Sequence, residues 1–241
     1  MSPFLEVVRD ARRGQLPSRY DDSQRVEFDR RARSSLVADA CVLDVGAGKH
    51  PTFPVEDRPL GCRYVGLDLT ASELDAAPPG SYQDVVVADA VTPVPALEEC
   101  FDLVVSWQVL EHVKPLATAI ENVRSYLRPG GRFLAHLSGT FSVFGMLSRL
   151  LPPRTTRFLA NRVVARPRAD IFPAYYDHCY DAALRRMGIG WSRFEVVPRF
   201  YGADYVAFSP TLRAVYLGYE EWTRQHRHTN LAGYYLIDAT R

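Results

Sequence analysis

The chain has 241 residues, 47% of them hydrophobic and 24% charged, a composition typical of a globular protein with a sizeable core. Its 29 basic and 28 acidic residues leave a net charge of +1, so no overall field attracts it to nucleic acid or to acidic lipid. We therefore expect no nucleic-acid partner.

The cysteines and the first residues bear on the cellular compartment. The four cysteines are scattered, without a CxxC pair or zinc-finger spacing, and this predicts reduced thiols and no metal site. Arg9 and Asp10 come too early for the apolar core of a signal peptide, and no apolar run approaches the roughly 20 residues that span a bilayer. We expect a cytoplasmic protein.

The elements begin with a charged, helix-like segment over residues 1–37, and short apolar runs then recur. These runs predict strands at 41–45, 63–68, 84–89, 101–106 and 131–138. A helical stripe between the last two starts near Leu116 and is ended by Pro129, Gly130 and Gly131. Apolar runs that alternate with helices predict an α/β, doubly wound, mostly parallel sheet.

Residues 139–176 interrupt this alternation. They contain four prolines, and there are six arginines and no acidic residue between Arg149 and Arg168. We interpret them as an inserted lid or substrate subdomain within a domain over 38–241. The regular pattern resumes with a helix near 177–187, a strand near 194–199, a helix at about 210–226 and a strand at 232–240.

A glycine loop follows the first strand. Gly46 and Gly48 allow a tight turn and let a ligand approach the backbone; a simple strand-to-loop turn is the alternative explanation. Asp68 ends the second strand 20 residues after Gly48, where a carboxylate can bind the ribose diol of a nucleotide. Asp89 ends the third predicted strand, where an adenine amino group could be bound.

The residues after the loop favour a nucleoside without phosphates. The third small residue of the NAD fingerprint is replaced by Pro51, which is poor material for a helix that holds a pyrophosphate. The Walker spacing is also absent. An NAD-linked oxidoreductase is therefore the least favoured alternative.

The ordered series VLDVGAGKH, YVGLDLT, VVVADA, FDLVVSWQVLEHV and LRPGGRF resembles the motifs of class I S-adenosylmethionine-dependent methyltransferases. It is most similar to the small-molecule branch that includes quinone and sugar methyltransferases, over about residues 40–138. The resemblance implies S-adenosyl-L-methionine as cofactor and a Rossmann-like, seven-stranded sheet with a C-terminal antiparallel hairpin.

The resemblance also implies the cofactor-binding residues. The loop would hold the methionine part, Asp68 the ribose, Asp89 and Ala90 the adenine, and the end of the fourth strand the sulfonium. The full set is Asp44, Gly46, Ala47, Gly48, Asp68, Leu69, Asp89, Ala90, Ser106, Trp107 and Gln108. The chain departs from the family after Gly48, where His50 and three prolines replace a regular helix.

Candidates for catalysis are His136, His112 and His178. His136 lies at the end of the fifth strand and is either a base or a core histidine; His112 begins the helix after the fourth strand and is either catalytic or a cap. Tyr175, Tyr176 and His178 form an aromatic cluster that either contacts the acceptor or packs internally.

The lid has two interpretations. Apolar residues interleaved with arginines could bind a membrane surface, but Phe141, Phe144, Leu147 and Leu150 packing onto the sheet is favoured. We expect methyl transfer to a small-molecule acceptor, most simply a hydroxyl of a sugar or secondary metabolite with His136 as base. The alternatives are methylation of a lipid-linked glycan or quinone at a membrane, and a catalytically silent cofactor-binding scaffold.

Overall fold

A computed structural model describes residues 7, 9–10, 15–142, 145–146 and 174–241. The strands are β1 (Cys41–Val45), β2 (Arg63–Asp68), β3 (Asp84–Val87), β4 (Phe101–Trp107), β5 (Leu127–Ser138), β6 (Arg193–Arg199) and β7 (Tyr234–Thr240). The helices are α1 (Gln24–Ala32), α2 (Ala71–Asp75), α3 (Leu116–Tyr126), α4 (Asp181–Arg186) and α5 (Pro210–Gln225).

The strands form one sheet in the order β3-β2-β1-β4-β5-β7-β6. The first five pair in parallel, while β7 pairs antiparallel with both β5 and β6. The predicted α/β class, the mostly parallel sheet and the C-terminal antiparallel hairpin are confirmed.

Several element ends differ from the sequence prediction. α3 stops at Tyr126 and β5 already begins at Leu127, because Leu127 pairs with Phe101 before the register shifts to the pair Leu103 and Arg132. The Pro-Gly-Gly run therefore lies inside β5 and does not end the helix. β3 stops at Val87, so Asp89 lies two residues beyond the strand.

The two faces of the sheet are covered differently. One face packs Val65, Val104 and Phe133 against α3 and α4, through side chains such as Ile120 and Leu184. The opposite face carries a second cluster that includes Phe28, Ala32, Phe53 and Leu134. Helix α1 thus covers the face on which a helix after β1 would otherwise lie.

The first crossover lacks that helix, as its prolines predict. Residues between β1 and β2 contain one short 3₁₀ turn, Val55–Asp57. Arg58 holds this segment, because its Nε donates to the Phe53 carbonyl at 2.9 Å and its guanidinium lies 3.6 Å from the centre of the Tyr64 ring.

A buried charge cluster joins α1 to the sheet. Asp238 in β7 is 1% exposed, and it accepts hydrogen bonds from Arg31 of α1 at 2.8 Å and from Arg132 of β5 at 2.6 Å. Burial alone would raise the pKa of Asp238, but these hydrogen bonds lower it below its ordinary value.

Most of the predicted lid, with its arginines and Phe144, Leu147 and Leu150, lies outside the described residues. The described residue Phe141 has its ring 5.4 Å from that of Tyr180. The interpretations of the lid therefore stay predictions. In the described ranges, no helix is both long and apolar enough to cross a membrane.

Candidate active site

Asp44 organises the loop that follows β1. The side chain is fully buried, and its carboxylate accepts hydrogen bonds from the Thr52 amide at 2.6 Å, the Thr52 hydroxyl at 2.7 Å and the Tyr64 hydroxyl at 2.8 Å. Burial raises the pKa of Asp44, and these bonds oppose the rise. Both oxygens are engaged within the protein, so this side chain fixes the return of the loop towards β2.

The glycines of the loop are required by geometry. Gly46 has φ +75°, and a Cβ there would lie 2.3 Å from Cγ1 of Val109. Gly48 has φ +47°, and its Cβ would fill space beside the carboxylates of Asp68 and Glu73, at 3.6 and 3.7 Å. Together they leave a cradle of bare backbone, as expected for a site where a ligand touches the main chain.

Asp68 lies against this cradle. Its Oδ2 accepts from the Gly48 amide at 3.0 Å and its Oδ1 accepts from the Thr70 amide at 3.2 Å. Two predicted site residues, far apart in sequence, are thus brought into direct contact. Because each carboxylate oxygen can accept a second hydrogen bond and the side chain is only half-buried, Asp68 can still bind a diol.

Leu69 follows β2 directly, and the two residues expected to frame an adenine, Asp89 and Ala90, lie beyond β3. Leu69 is 62% exposed, and Asp89 is exposed with its Oδ1 accepting from the Val91 amide at 3.1 Å. The Ala90 carbonyl accepts from the Asn122 amide group at 2.9 Å, which fixes the loop onto α3. An apolar side chain and a carboxylate are therefore open at this edge.

Successive residues at the end of β4 have different structural roles. Ser106 is buried and donates to the Val45 carbonyl at 3.0 Å, so its hydroxyl ties β4 to β1. Trp107 is half-buried, and Gln108 takes φ +56° while its amide donates to the His136 carbonyl at 2.7 Å. The Trp107 ring lies at the carboxyl end of the sheet, with the edge contact to the Phe28 ring at 5.0 Å between ring centres.

His136 is stacked between two rings. Its ring centre lies 4.3 Å from that of Trp107 and 5.2 Å from that of Tyr234, and the residue is 1% exposed. Nε2 is 2.7 Å from the Gln24 side-chain oxygen, while Nδ1 has no partner among the described residues. Burial, with the charges of Arg199 and Arg25, lowers the pKa of His136 to about 3, which makes it a weak base.

The turn after β4 places Glu111 inside and His112 at a half-buried position. Glu111 is 4% exposed; its Oε1 accepts from the Ser138 amide at 3.2 Å, and its Oε2 is buried without a partner in the described part of the chain. Burial raises the pKa of Glu111, and the charge of His112 partly offsets this.

The residues of the aromatic cluster after the predicted lid differ in burial. The amides of Tyr175 and Tyr176 both donate to the Glu111 carbonyl at 2.9 Å, but the Tyr176 side chain is buried and that of Tyr175 is 54% exposed. His178 is exposed and contacts the Asp177 carboxylate at 2.9 Å. The structure therefore does not bring His178 together with His136.

Two contributors were missed from the sequence. The Tyr82 hydroxyl donates to the carbonyls of Ala47 and Gly48, at 3.0 and 2.9 Å, and so supports the loop from below. Arg25 of α1 lies 5.1 Å from the Trp107 ring centre, and its guanidinium also bonds to the Thr52 carbonyl. Neither residue belongs to a motif in the sequence, because each meets the loop only through the tertiary fold.

A buried strand, a bare glycine loop and an acidic side chain at the end of the next strand define a nucleoside-binding protein of the Rossmann-like class. The profile of the family described as "Methyltransferase domain" matches residues 19–183. The chain therefore belongs to this family, as a class I S-adenosylmethionine-dependent methyltransferase.

Relatives are similar over part of their length. The chain is 35% identical over 124 residues to the polyketide methyltransferase ustM of Ustilaginoidea virens, covering 44% of this chain and 28% of that protein. It is 32% identical over 103 residues to a ubiquinone biosynthesis O-methyltransferase of Methylobacterium sp. (strain 4-46), covering 41% of each. The chain thus spans less than half the length of these relatives.

The fold is also similar to that of an S-adenosylmethionine-dependent methyltransferase from Mesorhizobium loti. The TM-score is 0.53 at 18% identity, covering 92% of this chain and 99% of that one. The residues present fit S-adenosylmethionine, because a Cβ at Gly48 would fill the space beside the carboxylate of Asp68, which borders the loop.

Proposed function

We propose that this methyltransferase transfers the methyl group of S-adenosylmethionine to a hydroxyl of a small-molecule acceptor. The observation that carries the proposal is the contact between Asp68 and the Gly48 amide, which aligns a diol-binding carboxylate with a loop that a nucleoside can approach. When bound, S-adenosylmethionine supplies an electrophilic methyl group on a sulfonium.

The described residues suggest a division of roles. Asp68 would accept from the ribose hydroxyls, while Leu69, Asp89 and Ala90 would border the adenine. Asp44 would act through the loop, since both its oxygens are occupied within the protein. Arg25 is the cation beside Trp107 and would pair with the methionine carboxylate.

The acceptor would lie beyond the carboxyl ends of β4 and β5, where Trp107 and the half-buried Gln108 border the sulfonium end. Methyl transfer is an in-line displacement, so holding the acceptor in alignment supplies much of the acceleration. The oxygen preference is supported by the relative named as an O-methyltransferase, and the small-molecule class by the polyketide relative.

The test is calorimetric titration with S-adenosylhomocysteine, with NAD as the negative ligand. Asp68→Ala removes two charge-assisted hydrogen bonds, each worth about 1.5–3 kcal/mol, so affinity should fall by at least about 100-fold. Asp75→Ala, an exposed aspartate of α2, is the matched control and should bind as the wild type does. Equal binding by both variants would contradict the assigned role of Asp68.

Transfer is measured next with a radiolabelled methyl donor. Binding without transfer to any hydroxyl compound would favour a silent cofactor-binding scaffold. Transfer that requires anionic liposomes would favour a lipid-linked glycan or quinone acceptor at a membrane surface. Transfer to soluble phenols or sugars would support the proposal as stated.

A further inference from the structure

Helix α5, in the connection between β6 and β7, has an outer face that is apolar. The residues of this face are exposed by 43 to 69%: Phe208, just before the helix, and Leu212, Val215 and Trp222 within it. The half-buried Tyr219 lies on the same face, and we call these five residues the α5 seam. A surface helix normally turns its apolar side to the core, and a contiguous exposed apolar patch marks an interaction site.

The opposite face of α5 is used within the fold. Leu217 is buried in a cluster with Ala203. Glu220 and Glu221 are also buried, and they accept hydrogen bonds from the guanidinium of Arg19 at 3.2 and 3.0 Å. Because these contacts already hold the helix in place, the α5 seam is available to a partner.

The spacing of the α5 seam fits a pair of identical helices. Phe208, Val215 and Trp222 follow one another at intervals of seven residues, as do Leu212 and Tyr219, which is the pattern of a coiled-coil contact. In an antiparallel pair with Val215 on the twofold axis, Phe208 would oppose Trp222 of the second copy. Leu212 would likewise oppose Tyr219. The smallest side chain would then lie where the helices cross, with larger side chains on both sides of it.

Charges at the two ends of the helix agree with an antiparallel copy. Arg227 is exposed just beyond the C-terminal end. Asp204 lies near the other end, in the 3₁₀ turn Ala203–Val206, and its side chain is 77% exposed although it accepts a hydrogen bond from Arg213 at 3.0 Å. An antiparallel copy would bring the cationic end of each helix to the acidic end of the other, whereas a parallel copy would bring like charges together.

We propose that the α5 seam is the interface of a twofold homodimer in which the two helices pack antiparallel. The seam is about 20 Å long at 1.5 Å per residue, and a strip of this length and one helix wide buries less than the roughly 800 Å² per partner of a standard interface. The association is therefore weak, with a dissociation constant in the micromolar range.

Sedimentation velocity of the full chain between about 1 and 200 µM tests the association. The wild type should change from monomer to dimer across this range. Val215→Arg would place two like charges on the twofold axis, so the dissociation constant should rise at least about 100-fold. The matched control is Ile189→Arg, the same kind of change at an exposed residue after α4, and it should dimerise as the wild type does. Circular dichroism verifies that both variants fold.

Cysteine cross-linking determines the orientation of the helices and decides the matter if Val215→Arg does not fold. On mild oxidation Val215→Cys should form a disulfide with its own copy, above the background that the four free cysteines of the wild type give. Phe208→Cys should link to Trp222→Cys when the two variants are mixed, and it should not link to itself.

The inference is overturned if the wild type stays monomeric over the whole range, if Val215→Arg associates as the wild type does, or if Phe208→Cys links only to itself. A monomer that sediments with vesicles of phosphatidylcholine and phosphatidylglycerol would show that the seam binds lipid, which would also overturn it. So would a monomer that Val215→Arg destabilises in urea unfolding while Ile189→Arg does not, because another part of this chain would then cover the seam.

Discussion

Gly46→Ala tests the loop on which the cofactor site is built. The alanine would keep φ near +75°, which costs about 1–2 kcal/mol, and its Cβ would lie 2.3 and 2.4 Å from the two Cγ atoms of Val109, an overpacking that costs about 1–3 kcal/mol. The sum predicts a loss of about 2–5 kcal/mol in the free energy of unfolding. Gly48→Ala should lose only about 1–2 kcal/mol, because no atom approaches its Cβ closer than 3.6 Å.

Urea unfolding followed by circular dichroism measures both variants. In the double variant with Val109→Ala the two Cγ atoms are gone, and the remaining Val109 Cβ lies at 2.8 Å, so part of the strain should be relieved. The double-mutant cycle should give a favourable coupling of about 1–2 kcal/mol. Equal losses for Gly46→Ala and Gly48→Ala, or no relief by Val109→Ala, would refute the reasoning.

Three further variants or measurements probe the surroundings. Asp238→Asn removes the buried carboxylate that the half-buried Arg31 and Arg132 share, and it should destabilise the protein by about 3 kcal/mol in urea unfolding at pH 7. Because the folded pKa of Asp238 is lowered, its stabilisation is present above the ordinary aspartate pKa and is lost as the pH falls through the folded value, so the variant should show a weaker acid dependence. Tyr64→Phe removes a donor to Asp44 and should weaken S-adenosylhomocysteine binding about tenfold in calorimetry, whereas wild-type affinity would contradict the role of the loop anchor. His136 should show no titration by NMR between pH 5 and 8, and a midpoint near 6.5 would show that the ring is accessible to solvent.

Much of the parallel sheet was predictable because its strands are buried on both faces. β1 and β2 begin and end as their apolar runs indicate. A short continuous apolar run is typical of a strand that is buried on both faces of a parallel sheet. The start of β5 was not predictable, because Pro129 and Gly130 are turn residues locally and only pairing with β4 shows that the strand continues through them. The absence of a helix after Gly48 followed from the prolines, but the compensating position of α1 did not.

The contacts of the candidate site also include some that the sequence indicates and some that it does not. Gly48 and Asp68 share a strand-end pattern that the sequence displays, and they touch. Glu111 and Ser138 meet only because β4 and β5 are neighbours, and nothing in either segment signals an unsatisfied carboxylate oxygen. Likewise, the position of His136 at the end of a predicted strand favours a catalytic base. The sequence does not indicate that its ring is buried against Gln24, which lies 112 positions away in the chain.

The docking of α1 onto the sheet has a consequence for biosynthesis. Arg31 and Asp238 are 207 positions apart, so at usual rates roughly 10–40 s of translation separate the emergence of α1 from that of its partner strand. Throughout that interval the ion pair between Arg31 and Asp238 cannot form, and the apolar cluster around Phe28 and Ala32 lacks its β7 member, Leu236. The docking of α1 is therefore completed only once β7 has been made, so the last strand of the sheet secures a helix from the start of the chain.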